Sequence, residues 1–542
     1  MWKQGWRDGV WGRLGQKWDI IVIGGGITGA GILRIASQLG LSVLLIERHD
    51  FGWGTSSRSS KLVHGGMRYL KEGKIFLTRD SVREREKLIR EGPGLIEKLN
   101  FLIACYKGEK PGKYTYKAGL ALYDLLGSTE SFQQYSPEDF HILSPFICGE
   151  GLDDGFSFYD AQTDDARLVL RVILEAVAGG ATAINYTAAE ELLYTGKQVT
   201  GVRVRDLVEN RTADVHAKVV VSATSVWADQ IREQLGAKAR MRPLRGSHLL
   251  FPAWRLPVSR AITFPHPGDR RPVFIFPWEG ITLVGTTDLD HSYPLNDEPF
   301  ISPDEVAYLM AAVESKFPVQ KITLDDVIST FSGLRPVIGT GKSDPSKESR
   351  DHVIWDEKGL ITVTGGKLTT FRIIAIDTLV AASERLPGMK GLSRKMLVLN
   401  RIDRKELRKL PVSDNQKIRL TGRYGIEALD LVKSAKPVEL EPIPNTMYLW
   451  AELRWAARAE GVVYLEDLLL RRVRIGLLLP QGAEPLLPMI RGICQPELGW
   501  DDKRWQKEES AYLELWKQHY SLPDRKTIPA WYVAVDKKSA KR

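Results

Sequence analysis

Residues 56–73 read SSRSSKLVHGGMRYLKEG and crowd Arg58, Lys61, His64 and Arg68 among serines and glycines. Such a stretch suits a small anion. The glycines Gly65 and Gly66 let backbone approach a ligand closely. A guanidinium binds phosphate through two parallel hydrogen bonds, and an ammonium acts as a point charge. Two further cations lie in small or apolar surroundings, Arg335 in FSGLRPVIG and Lys367 in TVTGGKLTT. A cation without a partner is costly there, so each needs either a bound anion or a carboxylate such as Asp288. Histidine is the side chain matched to proton transfer near neutral pH. His64 and His248, the latter opening an apolar run in GSHLLFP, are the two candidates for a general base.

These groups need a scaffold, and the preceding residues supply one. DIIVIG at 19–24 has the apolar, β-branched character of a buried strand. Gly24-Gly25-Gly26-Ile27-Thr28-Gly29 then forms G-x-G-x-x-G, followed by helical spacing through AGILRIASQLG and a second strand ending at Glu47. Gly24 permits a tight turn, Gly26 lets backbone approach a pyrophosphate, and Gly29 lets the helix pack on the strand. The helix N-terminus attracts phosphate, and Glu47 is placed to accept a ribose hydroxyl. That acid argues against a 2′-phosphate and therefore against NADP.

Later segments favour a permanently held flavin over a nicotinamide. AKVVVSA at 217–223 is another buried strand, followed by Thr224, Ser225 and Trp227. GLITVTGGKLTTFRIIAIDTLV gives a strand, the pair Gly365-Gly366 and a helix. The nucleotide fold is thus spread along the chain.

Taken in order, DIIVIGGGITGAGI, TSSRSSKLVHGGMRYL, RGSHLLFP, GTTDLD, FSGLRPVIG and GGKLTTFR resemble the FAD-dependent glycerol-3-phosphate dehydrogenases that feed quinone. AELRWAARAEGVVYLEDLLLRRVRIGLL at 451–478 is similar to that family's helical cap. The resemblance implies an α/β (α+β overall) protein with non-covalent FAD and no metal. It assigns 19–99, 181–240 and 351–385 to a discontinuous Rossmann-like FAD domain. It assigns 100–180 and 241–350 to an antiparallel substrate domain, and 400–542 to a helical cap. Cofactor contacts are expected from Gly24, Gly26, Ile27, Thr28, Gly29, Glu47, Thr55, Ser56, Ser60, Lys61, Leu62, Gly365, Gly366, Lys367, Leu368 and Thr369. Arg68, Tyr69, Arg335 and Lys367 are expected to hold glycerol 3-phosphate. His248, slightly ahead of His64, is expected to take the hydroxyl proton, with Arg335 stabilising the alkoxide. One departure stands out: the family has Asn-Ala-x-Gly where this chain has Ser222-Ala223-Thr224-Ser225. An oxygen-reducing glycerophosphate oxidase and an amine or hydroxy-acid oxidoreductase of the same superfamily remain alternatives.

The 542 residues allow two or three domains, and 43% hydrophobic content is ordinary for a globular protein. The net charge of +9 admits nucleic acid, an anionic membrane or an acidic substrate as partner. No nucleic-acid module is recognisable, and the basic residues are dispersed. Three cysteines without a C-x-x-C pair argue against zinc and dithiol chemistry and fit a reducing compartment. There is no signal-peptide pattern and no bilayer-length apolar run. Quinone acceptance, a possible homodimer and a cytoplasmic, peripherally membrane-bound location follow from the resemblance. Two segments suit an anionic lipid surface. One is the N-terminal arm, 1–18, with Trp2, Trp6, Val10 and Leu14 between basic residues. The other is the run with Arg471, Arg472 and Arg474. A packed arm and a solvated cap are the alternatives. RPVFIFPWEGITLVG predicts a hairpin, and LPGMKGLSRK at 386–395 a linker.

Overall fold

The computed structural model describes residues 2–71, 73–127, 132–339, 351–386, 389–408 and 410–531; the side chains of Arg68, Lys71, Arg404 and Leu407 lie outside the description. The basic tail KKSAKR and residues 387 and 388 of the expected linker also lie outside it.

The apolar run Trp18–Ile23 is the centre of an eight-stranded sheet. It pairs in parallel with Thr212–Ser222 on one side and Val43–Ile46 on the other, with Ile20 opposite both Val219 and Val43. Leu360–Thr364 and Thr182–Ile184 extend the parallel core. Their central residues are apolar and buried because both faces are covered: Ile20, Val22, Val43 and Leu45 lie under helices, and Ile21, Leu44, Ile46 and Val220 lie under Leu192, Val202 and Val204 and the N-terminal Val10 and Leu14. Ile27–Gln38 packs against Asp165–Ala178 and Phe371–Ala381. The approach is close: a Cβ on Gly31 would sit 2.9 Å from Phe371, and one on Gly29 only 1.9 Å from the Gly24 carbonyl oxygen.

A ten-stranded sheet carries the other half of the core. Met241–Pro252 pairs antiparallel with both Ile281–Gly285 and Ser329–Ile338. Pro272–Trp278 and Ile281–Gly285 form the expected hairpin. Its two-residue turn is Glu279-Gly280, both at positive φ (49° and 88°), the backbone that matches strand twist in a tight hairpin. The domain limits differ from the sequence expectation in two places. Leu62–Val63 and the strand starting at Ile96 belong to this antiparallel sheet rather than to the nucleotide domain. Helix Asp165–Ala178, expected in the substrate domain, packs on the nucleotide-binding helix, because its buried apolar face complements Ile27–Gln38.

The C-terminal region is helical, and Arg471, Arg472 and Arg474 within it are buried. Arg471 and Arg472 are 2% and 1% exposed and both bind Asp50. Arg474 reaches Asp164 and Asp165, Arg167 clasps Glu460 at 2.6 Å, and Arg423 binds Asp164. Arg454 and Arg458 are both held by Glu497. The lipid reading of 471–474 is therefore corrected: a buried guanidinium needs carboxylates, and the nucleotide domain provides them. The N-terminal arm is corrected likewise. Trp2, Val10 and Leu14 are buried, Trp2 stacks on Phe51 at 4.9 Å, and Arg7 pairs with Asp206 at 2.6 Å. No helix among the described residues is long and apolar enough to cross a membrane.

Candidate active site

The glycine loop builds the cofactor end. Gly24 has φ 111°, and a Cβ there would sit 2.6 Å from the Ala223 carbonyl oxygen. Helix Ile27–Gln38 has no side-chain cap, so its first N–H groups face outward, the Ile27 N–H donating to Ser56 Oγ at 3.0 Å. Glu47 accepts from the Gly25 N–H at 2.6 Å and the His49 N–H at 2.8 Å, and burial raises its pKa. A partly open cavity of about 120 Å³ lies between Gly24, Gly26, Glu47, Thr55, Ser56 and Thr224. Its remaining walls include His49, Trp53 and Trp227, and His49 stacks on Trp53 at 3.9 Å. Burial, then Arg48, pushes His49 down to about 4, so it is a neutral aromatic surface at neutral pH.

This arrangement fits FAD. The uncapped helix start would hold the pyrophosphate, Glu47 a ribose hydroxyl, and the aromatic walls the adenine. Sequence reasoning missed His49 and Trp53. Their signal was an aromatic cluster, His49, Phe51 and Trp53, within six residues after the strand-ending acid.

The substituted glycine position is informative. Ser225 has φ 56°, the left-handed region where glycine is at ease. Its carbonyl accepts from Thr364 Oγ1 at 2.9 Å, and its Oγ lies 3.4 Å from Thr55 Oγ1. The backbone thus keeps the glycine geometry despite the side chain.

The antiparallel sheet brings the catalytic candidates to the cofactor loop. His248 is 1% exposed, stacks on Phe331 at 4.4 Å, and shares a hydrogen bond of 2.9 Å with Ser60 Oγ through Nε2. Gly285, opposite it, is the residue that leaves room: a Cβ would fall 2.1 Å from His248 Cδ2. Nδ1 of His248 is buried without a hydrogen-bond partner. Burial, then Arg335, then Lys61 lower the His248 pKa well below its usual value. The ring is therefore neutral.

Arg335 stands on the neighbouring strand, its guanidinium over Gly246, where a Cβ would meet Nη2 at 2.2 Å. It donates to Asp288 Oδ1 at 2.7 Å, the Thr287 carbonyl at 3.1 Å and Thr286 Oγ1 at 2.9 Å. The carboxylate alternative noted from sequence is thus realised for Arg335. The pair fixes the guanidinium plane and offsets its charge. Thr55 Oγ1 donates to the Leu334 carbonyl at 2.6 Å, tying this strand to the cofactor loop.

Lys367 lies over the Tyr69 ring at 3.5 Å and donates to Ser81 Oγ at 3.2 Å. It follows Gly365 and Gly366, both at positive φ (79° and 78°), which turn the chain into the helix at Phe371. Thr369 Oγ1 donates to the His64 carbonyl at 3.1 Å, so the second glycine turn and the KLVHGG segment meet. Arg68 of the same segment has its side chain outside the description. Two members of the opening cluster are structural instead. Lys61 is fully buried on Asp165, at 2.9 Å from both oxygens, so its side chain is accounted for without a cofactor. Arg58 is held by Glu298, Tyr520 and the Trp53 carbonyl.

The fold and site define an FAD-binding oxidoreductase, and comparison with known proteins agrees. Residues 19–372 match the FAD dependent oxidoreductase (DAO) family, and 381–505 match the C-terminal domain of alpha-glycerophosphate oxidase. The aerobic glycerol-3-phosphate dehydrogenase of Staphylococcus aureus is 34% identical over 483 residues, 84% of this chain and 86% of that protein. That of Staphylococcus saprophyticus is 32% identical over the same coverage. The FAD complex of glycerol-3-phosphate dehydrogenase from Bacillus halodurans superposes with a TM-score of 0.76 at 27% identity, over 96% of this chain and 98% of that one. The chain belongs to the FAD-dependent oxidoreductases and, within them, to the glycerol-3-phosphate dehydrogenase family.

Proposed function

We propose that the chain oxidises sn-glycerol 3-phosphate to dihydroxyacetone phosphate and passes the electrons to a membrane quinone. The observation that carries this reading is a buried, neutral His248 beside the Arg335 guanidinium, on strands tied to the cofactor loop through Ser60 and Thr55. FAD supplies the acceptor for the hydride leaving C2. His248 accepts the hydroxyl proton. Arg335, already partnered by Asp288, donates to the substrate oxygen, and its offset charge suits that task better than anchoring a dianion alone. Lys367 and Arg68 supply charge for the phosphate.

Anaerobic glycerol 3-phosphate is expected to bleach the flavin absorbance of the purified holoprotein, with free glycerol far less effective because it lacks the anion. Equal bleaching by both would remove the phosphate from the argument. Turnover that makes peroxide stoichiometrically, and does not reduce quinone, would assign the oxidase chemistry instead.

The proposal includes one membrane surface. Helix Lys113–Gly127 exposes Tyr114 (80%), Leu122 (39%) and Leu125 (76%) on one face, and the helix packed beside it exposes Phe76 (74%). Ala118 and Ala121 lie on the same face, and Lys107, Lys110 and Lys117 are exposed close by in sequence. An apolar face among lysines matches anionic lipid headgroups over acyl chains. Leu122→Asp with Leu125→Asp is expected to cut co-sedimentation with phosphatidylglycerol vesicles by about tenfold or more, since each buried leucine contributes about 1.5–3 kcal/mol. Unchanged co-sedimentation would rule this face out.

A further inference from the structure

We infer that the C-terminal helical region is a clamp for the cofactor loop, with Arg474 as the positioning residue. The inference rests on FAD binding and not on the substrate.

The loop between Glu47 and Ser60 forms much of the adenosine cavity: Arg48, His49, Trp53, Gly54, Thr55 and Ser56 all line it. No residue of 466–479 does. Yet that segment holds the loop at both ends. At the first end, Arg471 Nε donates to Asp50 Oδ2 at 2.7 Å, and Arg472 donates to both Asp50 oxygens at 2.6 and 2.7 Å. Two residues on, the Gly52 N–H donates to the Gly25 carbonyl within the glycine turn, at 2.9 Å. At the second end, Arg474 Nη2 donates to the Ser57 carbonyl at 3.0 Å, beside Lys61 Nζ on the same oxygen at 2.7 Å. Ser56, next to it, is the residue whose Oγ sits on the Ile27 N–H at the phosphate-binding helix start.

The backbone that presents these arginines is irregular. Asp467–Arg472 is a π-helix, and Arg474 has φ 59°. A widened turn followed by a left-handed residue is costly, and such segments persist where surrounding contacts demand them. Here it aims three guanidinium groups in succession at the nucleotide domain. A loop held in place before the cofactor arrives loses less entropy on binding, so the clamp raises affinity without touching the ligand.

Coupling is reciprocal. If 466–479 stabilises the cofactor-ready loop, FAD must stabilise 466–479. Hydrogen exchange of the whole wild-type chain, with FAD and after its removal, is expected to show slower exchange at 466–479 when FAD is present. Arg474→Gln, titrated with FAD by flavin fluorescence, is expected to raise the FAD Kd about tenfold to a hundredfold, the loss of a charged hydrogen bond. Exchange at 466–479 indifferent to FAD would overturn the clamp, whether or not the variant folds. An unchanged FAD Kd in folded Arg474→Gln would overturn the role of Arg474.

Discussion

Replacing His248 with asparagine is expected to lower kcat/KM for glycerol 3-phosphate by about a hundredfold to ten-thousandfold, the range for loss of a positioned base. FAD content, read from the flavin spectrum, is expected to stay at the wild-type level, because the cavity at the glycine loop is lined by other residues. The pH dependence gives a sharper test. Burial and the positive charges of Arg335 and Lys61 favour the neutral ring. Wild-type kcat/KM should therefore keep its base through pH 6.5 and lose it only at clearly lower pH. Arg335→Ala removes one of those charges, so the histidine pKa rises and the acid limb moves toward neutral pH. An acid limb that stays in place in Arg335→Ala, or an asparagine variant with near wild-type turnover, would take the proton from His248 and return it to His64.

The second large effect is on stability. Asp50→Ala takes from the buried Arg472 its carboxylate partner, while Arg471 keeps Glu466 and Asp467. Removing one partner of a buried ion pair costs about 3–5 kcal/mol, because the other charge, here that of Arg472, stays uncompensated. Thermal unfolding of Asp50→Ala should therefore begin far below wild type, and a midpoint near wild type would show that the arginines find other acceptors. Burial alone would raise the Asp50 pKa, but Arg472 and Arg471 outweigh it and pull it down to about 2. The pair thus stabilises fully above the ordinary aspartate value, about 3.9. Its contribution fades as pH falls from there toward 2. Acid unfolding of the wild type in that window should be weaker in Asp50→Asn, which has no proton to gain.

Sequence and structure divided the work along a physical line. The strand at 19–24, the glycine turn, Glu47 and the helix after Gly366 were legible because each is a local conformational demand: a buried strand is apolar, and a phosphate-binding turn needs residues without Cβ. His248 was legible as a titratable group opening an apolar run. What these cations face was not legible. Arg58 and Lys61 stand in the same run as His64, yet they meet Glu298 and Asp165 from elsewhere in the chain, and a guanidinium in the sequence looks the same whether it awaits a phosphate or already holds a carboxylate. The same blindness made 471–474 and the N-terminal arm look like lipid-facing segments. By itself the sequence determined the nucleotide-binding fold, which rests on short-range geometry, while the flavin and the family followed from later segments and from the resemblance of ordered motifs to known proteins. Only the tertiary structure decided which positive charges are committed to carboxylates, because ion pairing joins residues up to 422 positions apart and no local pattern records it.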